Sequence, residues 1–171
     1  TGLIPGDLGV SPVGLDFGAV VVGSIPQQVF SVSNSGDVPV TNGMAMVTGE
    51  PYSIVSGGAF DVPAGGSTNV IVQFAPGAAG AFTSAVIFTS DNGGDSTNTI
   101  TGTSGFVPAA DFTATPINGV VSFTVTFTNT STGTITNNFW NFGDNTTSNT
   151  LSTVVAHTYT VAGTNTVTLI V

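Results

Sequence analysis

From Val120 to Thr128 the chain reads VVSFTVTFT, which puts Val121, Phe123, Val125 and Phe127 on one side of an extended backbone and Ser122, Thr124, Thr126 and Thr128 on the other. Successive β-strand side chains point to opposite faces, so the pattern predicts a strand with one buried and one wet face. TNTVTLIV, Thr164 to Val171, repeats it with Val167, Leu169 and Val171 inward, and NVIVQF, Asn69 to Phe74, does so with Val70, Val72 and Phe74. Between such runs lie the turn clusters NSGD, PAGGS, APGAAG, DNGGD and GDN. No segment carries an i, i+3, i+4 apolar stripe of useful length. Short strands spaced by Gly- and Pro-rich turns predict an all-β chain built from β-sandwiches.

The charge inventory narrows what such sandwiches can do. There are nine Asp and Glu, one His, and no Lys or Arg, where a typical domain is about a quarter charged. The expectation is a molecule without a side-chain salt bridge. It has no basic face, which removes the attraction to phosphate backbones and argues against nucleic acid as a partner. A polybasic membrane patch is excluded on the same ground. The chain has no Cys, so neither disulfides nor thiolate metal sites can hold it together and burial must do the stabilising. Apolar residues alternate with Thr, Ser and Asn and never approach the run of about 18 that a spanning helix needs. The Gly- and Pro-rich turns and the lack of aromatic girdles argue against a membrane barrel. The first residue is Thr1 and no signal-peptide pattern opens the chain, which is expected to be a mature or excised piece of something longer.

The composition shifts once. Up to about Gly105 it is rich in Gly, Val and Pro, and after GFVPAADF it becomes a lattice of Thr and Asn. The expected organisation is an N-terminal segment over 1–14, which includes the start of the first strand, a first sandwich over 15–105, a linker over 106–109 stiffened by Pro108, and a second sandwich over 110–171.

Specific phrases carry a resemblance in each half. LDFGAVVVGS (Leu15 to Ser24), VSNSGDVPV (Val32 to Val40), FDVPAGGSTNVIVQFAPGAAGAFTSAVIFTSDNGG (Phe60 to Gly94) and ITGTSG (Ile100 to Gly105) follow the order of the choice-of-anchor D and ASH/HYDIN type of Ig-like module, which residues 15–105 resemble. VTFTNTSTG, WNFGDNTTS and HTYTVAGTNTVTLIV make residues 110–171 resemble a PKD domain. The resemblance implies two tandem Ig-like β-sandwiches of an extracellular or scaffold type, without catalytic machinery of their own.

The stretch FWNFGDNTTSNT, Phe139 to Thr150, looks most like a site, with His157 a little further on. Trp140 fits the large core aromatic of a central strand, and Phe142 shares its face. Gly143 suits a positive φ, and Asp144 suits acceptance of backbone N–H groups across a corner. The PKD pattern Trp-Asp-Phe-Gly-Asp-Gly has Asn141 for its first Asp and Asn145 for its last Gly, which weakens a calcium reading because hard cations favour several carboxylate oxygens. His157 and Tyr159 belong to the family's HTY strand. A lone His with no second His, no Cys and no adjacent acidic cluster is a poor ligand and a poor base, and is expected to be packed or on the surface. Asp91 and Asp95 of DNGGD are the remaining weak Ca²⁺ candidates with Asp144, and a solvated hairpin is the expected role. Asn129 and Asn145 open Asn-x-Ser/Thr glycan acceptor patterns. The expectation is therefore no catalytic residue, no cofactor and no dedicated metal site.

In the PKD family the segment matching AGTNTVTLIV resembles the penultimate strand, with one more strand normally beside it. Left alone, Val167, Leu169 and Val171 mark an open assembly edge that nothing here charges. Either the strand lies in flanking sequence, or the domain is shorter, or a neighbouring copy donates a strand, the head TGLIPGD with Leu3 and Ile4 being a donor up to Pro5. The function this implies is a building block of a cell-surface fibre, filament or adhesin, its partners being copies of itself, flanking repeats or surface glycans. The alternative is an accessory module of a secreted hydrolase. Ice binding by Thr ladders is a third reading. Isopeptide cross-links are excluded because they need Lys.

Overall fold

The computed structural model describes residues 2–171. They form two compact units, which divide between Gly105 and Phe106. Both are all-β.

Unit 1 packs two sheets. One has the order β1-β3-β7-β5, with β1 Leu8–Ser11, β3 Gln27–Asn34, β7 Ser67–Phe74 and β5 Tyr52–Ser56. The other has the order β2-β9-β8-β4-β6, with β2 Gly14–Val21, β9 Ser96–Gly105, β8 Gly80–Thr89, β4 Val40–Val47 and β6 Ala59–Val62. Pairing is antiparallel except between β2 and β9, which run parallel with a bulge between Asp16 and Ala19. The expected strand at Asn69–Phe74 is β7, and Val70, Val72 and Phe74 are fully buried. Phe74 is stacked on Tyr52 at 4.7 Å between ring centres and touches Phe17 at 5.5 Å. Gly102 lies beneath it, where a Cβ would come within 2.7 Å of the ring, so the aromatic fits only over a residue without a side chain.

The most buried polar side chain of this unit is Asn34, 2 % exposed. Its Oδ1 accepts the N–H groups of Asp7 and Gly36, and its Nδ2 donates to the carbonyls of Val38 and Val62. All four of its hydrogen-bonding valences are used, which is what makes a buried amide tolerable. The amide thereby ties the N-terminal segment and the β3–β4 turn to the sandwich.

Unit 2 is a smaller sandwich. One sheet is β10-β11-β14, with β10 Phe112–Thr115, β11 Phe123–Asn129 and β14 Val154–Tyr159; the other is β13-β12-β15, with β13 Thr147–Asn149, β12 Phe139–Asn141 and β15 Thr168–Ile170. Trp140, fully buried, meets Phe112 edge-on at 5.2 Å and Phe127 at 5.7 Å.

Three expectations change here. The strand read from Val120 begins only at Phe123, because its partners stop at Tyr159 and Thr115, and Val120 and Val121 are left exposed. The strand read over Thr164–Val171 shrinks to Thr168–Ile170, since β12 offers three residues for it to pair with. Residues 106–109 are bonded into unit 2: Phe106 exchanges hydrogen bonds with Thr134, and Ala109 with Thr132.

Truncating Phe74 to Ala should lower the stability of unit 1 by about 3–5 kcal/mol, the usual cost of deleting a buried aromatic. Asn34→Leu should also destabilise it, by about 1–3 kcal/mol for each backbone group left buried without a partner. Urea denaturation of the variants measures both.

Candidate functional site

The corner after β12 is assembled from short-range hydrogen bonds. Asn141 faces outward and its Oδ1 accepts the Gly143 N–H at 3.0 Å. Gly143 has φ +82°, and a Cβ there would come within 2.5 Å of the Thr166 carbonyl oxygen, so conformation and space both demand glycine. Asp144 Oδ1 accepts the Thr146 N–H at 3.1 Å and the Thr146 hydroxyl at 2.5 Å. Asn145 takes φ +68°, as the sequence reading allowed for an Asn in the place of Gly. The Phe142 N–H donates to the Thr146 carbonyl and closes the turn.

From the opposite sheet, β14 delivers His157 and Tyr159 to the same place. His157 Nε2 lies 2.7 Å from Asp144 Oδ2. Its ring lies parallel to Phe142 with centres 4.2 Å apart and meets the Tyr159 ring edge-on at 4.6 Å. The Tyr159 hydroxyl donates to the Phe142 carbonyl at 2.9 Å. Asp144, Thr146, His157, Tyr159 and Phe142 thus form one cluster that joins the two sheets.

This corrects two expectations. His157 does have an acid beside it, because the sandwich fold places β14 against the corner 13 residues earlier in the chain. When the imidazole is protonated, the contact is a salt bridge in a chain whose composition suggested none. The thread spacing Asp144 to His157 gave no local sign of it, since the contact depends on two sheets facing each other.

The electrostatics follow from the geometry. The Thr146 hydroxyl first, and His157 second, hold the Asp144 carboxyl down to about 2 from an ordinary 3.8. Burial, then the Asp144 charge, pushes the Tyr159 hydroxyl up. The arrangement differs from a nucleophile–base pair. Thr146 Oγ is 3.4 Å from the same imidazole nitrogen, but its proton is donated to Asp144, and that nitrogen already faces the carboxylate. What the cluster does is clamp the turn to β14.

The metal candidates are not brought together. Asp91 Oδ2 accepts from the Asn42 amide at 2.6 Å, and Asp95 Oδ1 accepts the Ser90 N–H at 3.4 Å. Asp144 belongs to unit 2. Among the described residues no group of three His, Cys, Asp or Glu side chains converges as metal ligands would.

The edge residues divide. Val167 and Leu169 pack against the unit 2 core, Val171 is partly buried, and Ile170 points outward. Beside them a groove of about 600 Å³ opens in unit 2, and none of its lining side chains is charged. Leu3 and Ile4 are exposed, and Ile4 is tethered at home: its N–H donates to the Asp37 carboxylate, and its carbonyl accepts the Asp37 N–H, both at 3.0 Å. The groove and the Asn34 node are features the sequence reading did not identify.

The family model for the HYDIN/CFA65/VesB-like Ig-like domain matches residues 6–103. The chain belongs to the HYDIN/CFA65/VesB-like Ig-like domain family. A PKD domain follows, its model matching residues 107–171. The Ig-like match takes in β1, which pairs with β3 as part of the sandwich. Both modules are of typically non-catalytic kinds, and no helix among the described residues is long and apolar enough to cross a membrane. Similar solved structures include the ASH/PapD-like domain 7 of human CEP192, at 12% identity and TM-score 0.49, covering 57% of this chain and 84% of that one. The Vibrio cholerae VesB protease is similar at 17% identity and TM-score 0.42, over 57% of this chain and 32% of its own. A chaperone–tip adhesin complex of CFA/I fimbriae is similar at 7% identity and TM-score 0.44, over 95% and 90%. No curated protein matches.

Because the folded carboxyl of Asp144 titrates below its unfolded value, its contribution to stability is complete above about pH 4 and is lost as pH falls through about 2. NMR titration should find Asp144 raised toward its ordinary value by Thr146→Val and, to a smaller extent, by His157→Phe. Asn145→Val should destabilise unit 2 by about 1–2 kcal/mol, because a β-branched residue resists the left-handed conformation, while Asn145→Gly should not. Thermal unfolding of the two variants reads the difference.

Proposed function

We propose that this chain is a non-enzymatic, extracellular structural building block of a cell-surface fibre, filament or adhesin. The observation that carries the reading is where the aromatic side chains go. Of twelve Phe, two Tyr and one Trp, only Phe106 and Phe139 are exposed. The rest are committed to the two cores, where they serve cohesion between sheets. The one cluster of polar, titratable groups is likewise occupied with itself, His157 with Asp144 and Tyr159 with the backbone. Only 5% of the residues are charged, all of them acids, and an exterior otherwise of Thr, Ser, Asn and Gly supports packing against copies of the same surface, since monomeric proteins favour abundant charge.

A second reading has one observation in its favour. The matching Ig-like family carries the name of VesB, and the VesB structure is that of a protease. On that reading the two sandwiches are accessory or spacer modules of a secreted hydrolase, holding a catalytic domain near an insoluble substrate.

Electron microscopy of native material containing this chain separates the two. Regular fibres are the expected result. Dispersed particles that co-sediment with an insoluble polysaccharide would overturn the structural reading in favour of the accessory one.

A further inference from the structure

Three Asn-Gly pairs occur in the sequence, Asn42-Gly43, Asn92-Gly93 and Asn118-Gly119. Such a pair carries a reaction of its own. The main-chain nitrogen of the glycine can attack the side-chain carbonyl carbon of the asparagine, and glycine, having no Cβ, leaves that approach open. Two restraints oppose it in a folded chain: hydrogen bonds that hold the amide, and a hydrogen bond or ladder that holds the glycine. The first pair is under both. Asn42 Nδ2 donates to Asp91 Oδ2 at 2.6 Å and its main-chain N–H to Asp61 Oδ1 at 2.8 Å, while Gly43 lies buried in β4 opposite Phe60. The second is held in the same two ways. Asn92 Oδ1 accepts the Thr41 N–H at 3.0 Å, its Nδ2 donates to the Pro39 carbonyl at 2.9 Å, and the Gly93 N–H donates to Ser90 Oγ at 2.9 Å. The third is under neither restraint. Asn118 and Gly119 are exposed in the loop between β10 and β11, and among the described residues neither the Asn118 amide nor the Gly119 N–H has a hydrogen-bond partner.

We propose that Asn118 is a site of spontaneous deamidation, with water as the only co-reactant. The Gly119 nitrogen bonds to Asn118 Cγ, the bond from Cγ to Nδ2 breaks, and ammonia leaves with the proton that Gly119 gives up; a five-membered succinimide ring remains. Water then opens the ring at either carbonyl. One opening leaves an aspartate and the other an isoaspartate, in which the main chain runs through the former side chain. Either product adds a negative charge to a stretch that has none between Asp111 and Asp144. The isoaspartate also lengthens the main chain by one atom beside Phe123, a ring packed on the unit 2 core that a Cβ at Gly119 would already approach within 2.1 Å. The loop leading into β11 is thus where age alone alters the charge and packing of unit 2. The reaction needs no partner, so it proceeds in a fibre subunit and in an accessory module alike.

A mass-spectrometric time course on the purified chain tests this, with one sample folded in mildly alkaline buffer and another unfolded in urea. The chain has no Lys or Arg for trypsin, but chymotrypsin separates the three pairs. Cleavage after aromatic residues releases Ser31–Tyr52 with Asn42, Thr89–Phe106 with Asn92, and Thr113–Phe123 with Asn118. In the folded chain Asn118 should convert to the acid, as a mixture of aspartate and isoaspartate, at least tenfold faster than Asn42 or Asn92. In urea the three should convert at similar rates. Isoelectric focusing of the folded chain should show an acidic band growing with time, and Asn118→Gln, at an exposed position outside the strands, should suppress it. Conversion of Asn42 or Asn92 as fast as Asn118 in the folded chain would overturn the proposal. So would an Asn118 that stays intact in the folded chain while the unfolded chain converts, or an acidic band that grows unchanged in Asn118→Gln.

Discussion

Face-to-face sheets pack about 10 Å apart, and in both units the inward side chains of one sheet meet those of the other in a single core. Phe30, Val32, Val70, Val72, Phe74, Val86, Phe88 and Ile100 are fully buried there in unit 1, and Phe127, Trp140 and Phe142 are buried in unit 2. A chain without Lys, Arg or Cys has few other means of cohesion. Each remaining feature is subordinate to this contact. The turns hold strands in register, Asn34 secures a loop to the core, and Gly102 leaves room for Phe74.

The Asp144–His157 contact illustrates how a constellation that resembles a reactive site arises from packing. Phe142 must face the core, which brings the following corner under β14. The imidazole then lies flat on Phe142 and finds the carboxylate at its edge. Thr146 completes the acceptor's shell, so the charged group at the corner is matched by donors on its own turn and on the opposite sheet. Orientation of the imidazole, turn geometry and sheet-to-sheet contact are one interaction described from three sides.

The all-β tandem was legible in the sequence because alternation and turn chemistry are local signals. Val70, Val72 and Phe74 show their burial through period two alone; Trp140 and Phe142 are buried and Gly143 has a positive φ. What was not legible depends on contacts distant in sequence. Strand ends at Phe123 and Thr168 are set by where partner strands stop, not by their own apolar residues. The neighbour of His157 lies on the other sheet. Asn34 sits in a turn-like NSGD phrase, and nothing local distinguishes an exposed turn amide from a buried one that satisfies four backbone groups.

A double-mutant cycle on Asp144 and His157, followed by chemical denaturation of unit 2, examines most directly whether this cluster is structural. If the pair clamps the corner to β14, Asp144→Asn and His157→Gln each lower the unfolding midpoint, and the double variant falls no further than the worse of the two. Variants that unfold where the unaltered chain does, or losses that simply add, would contradict a structural clamp.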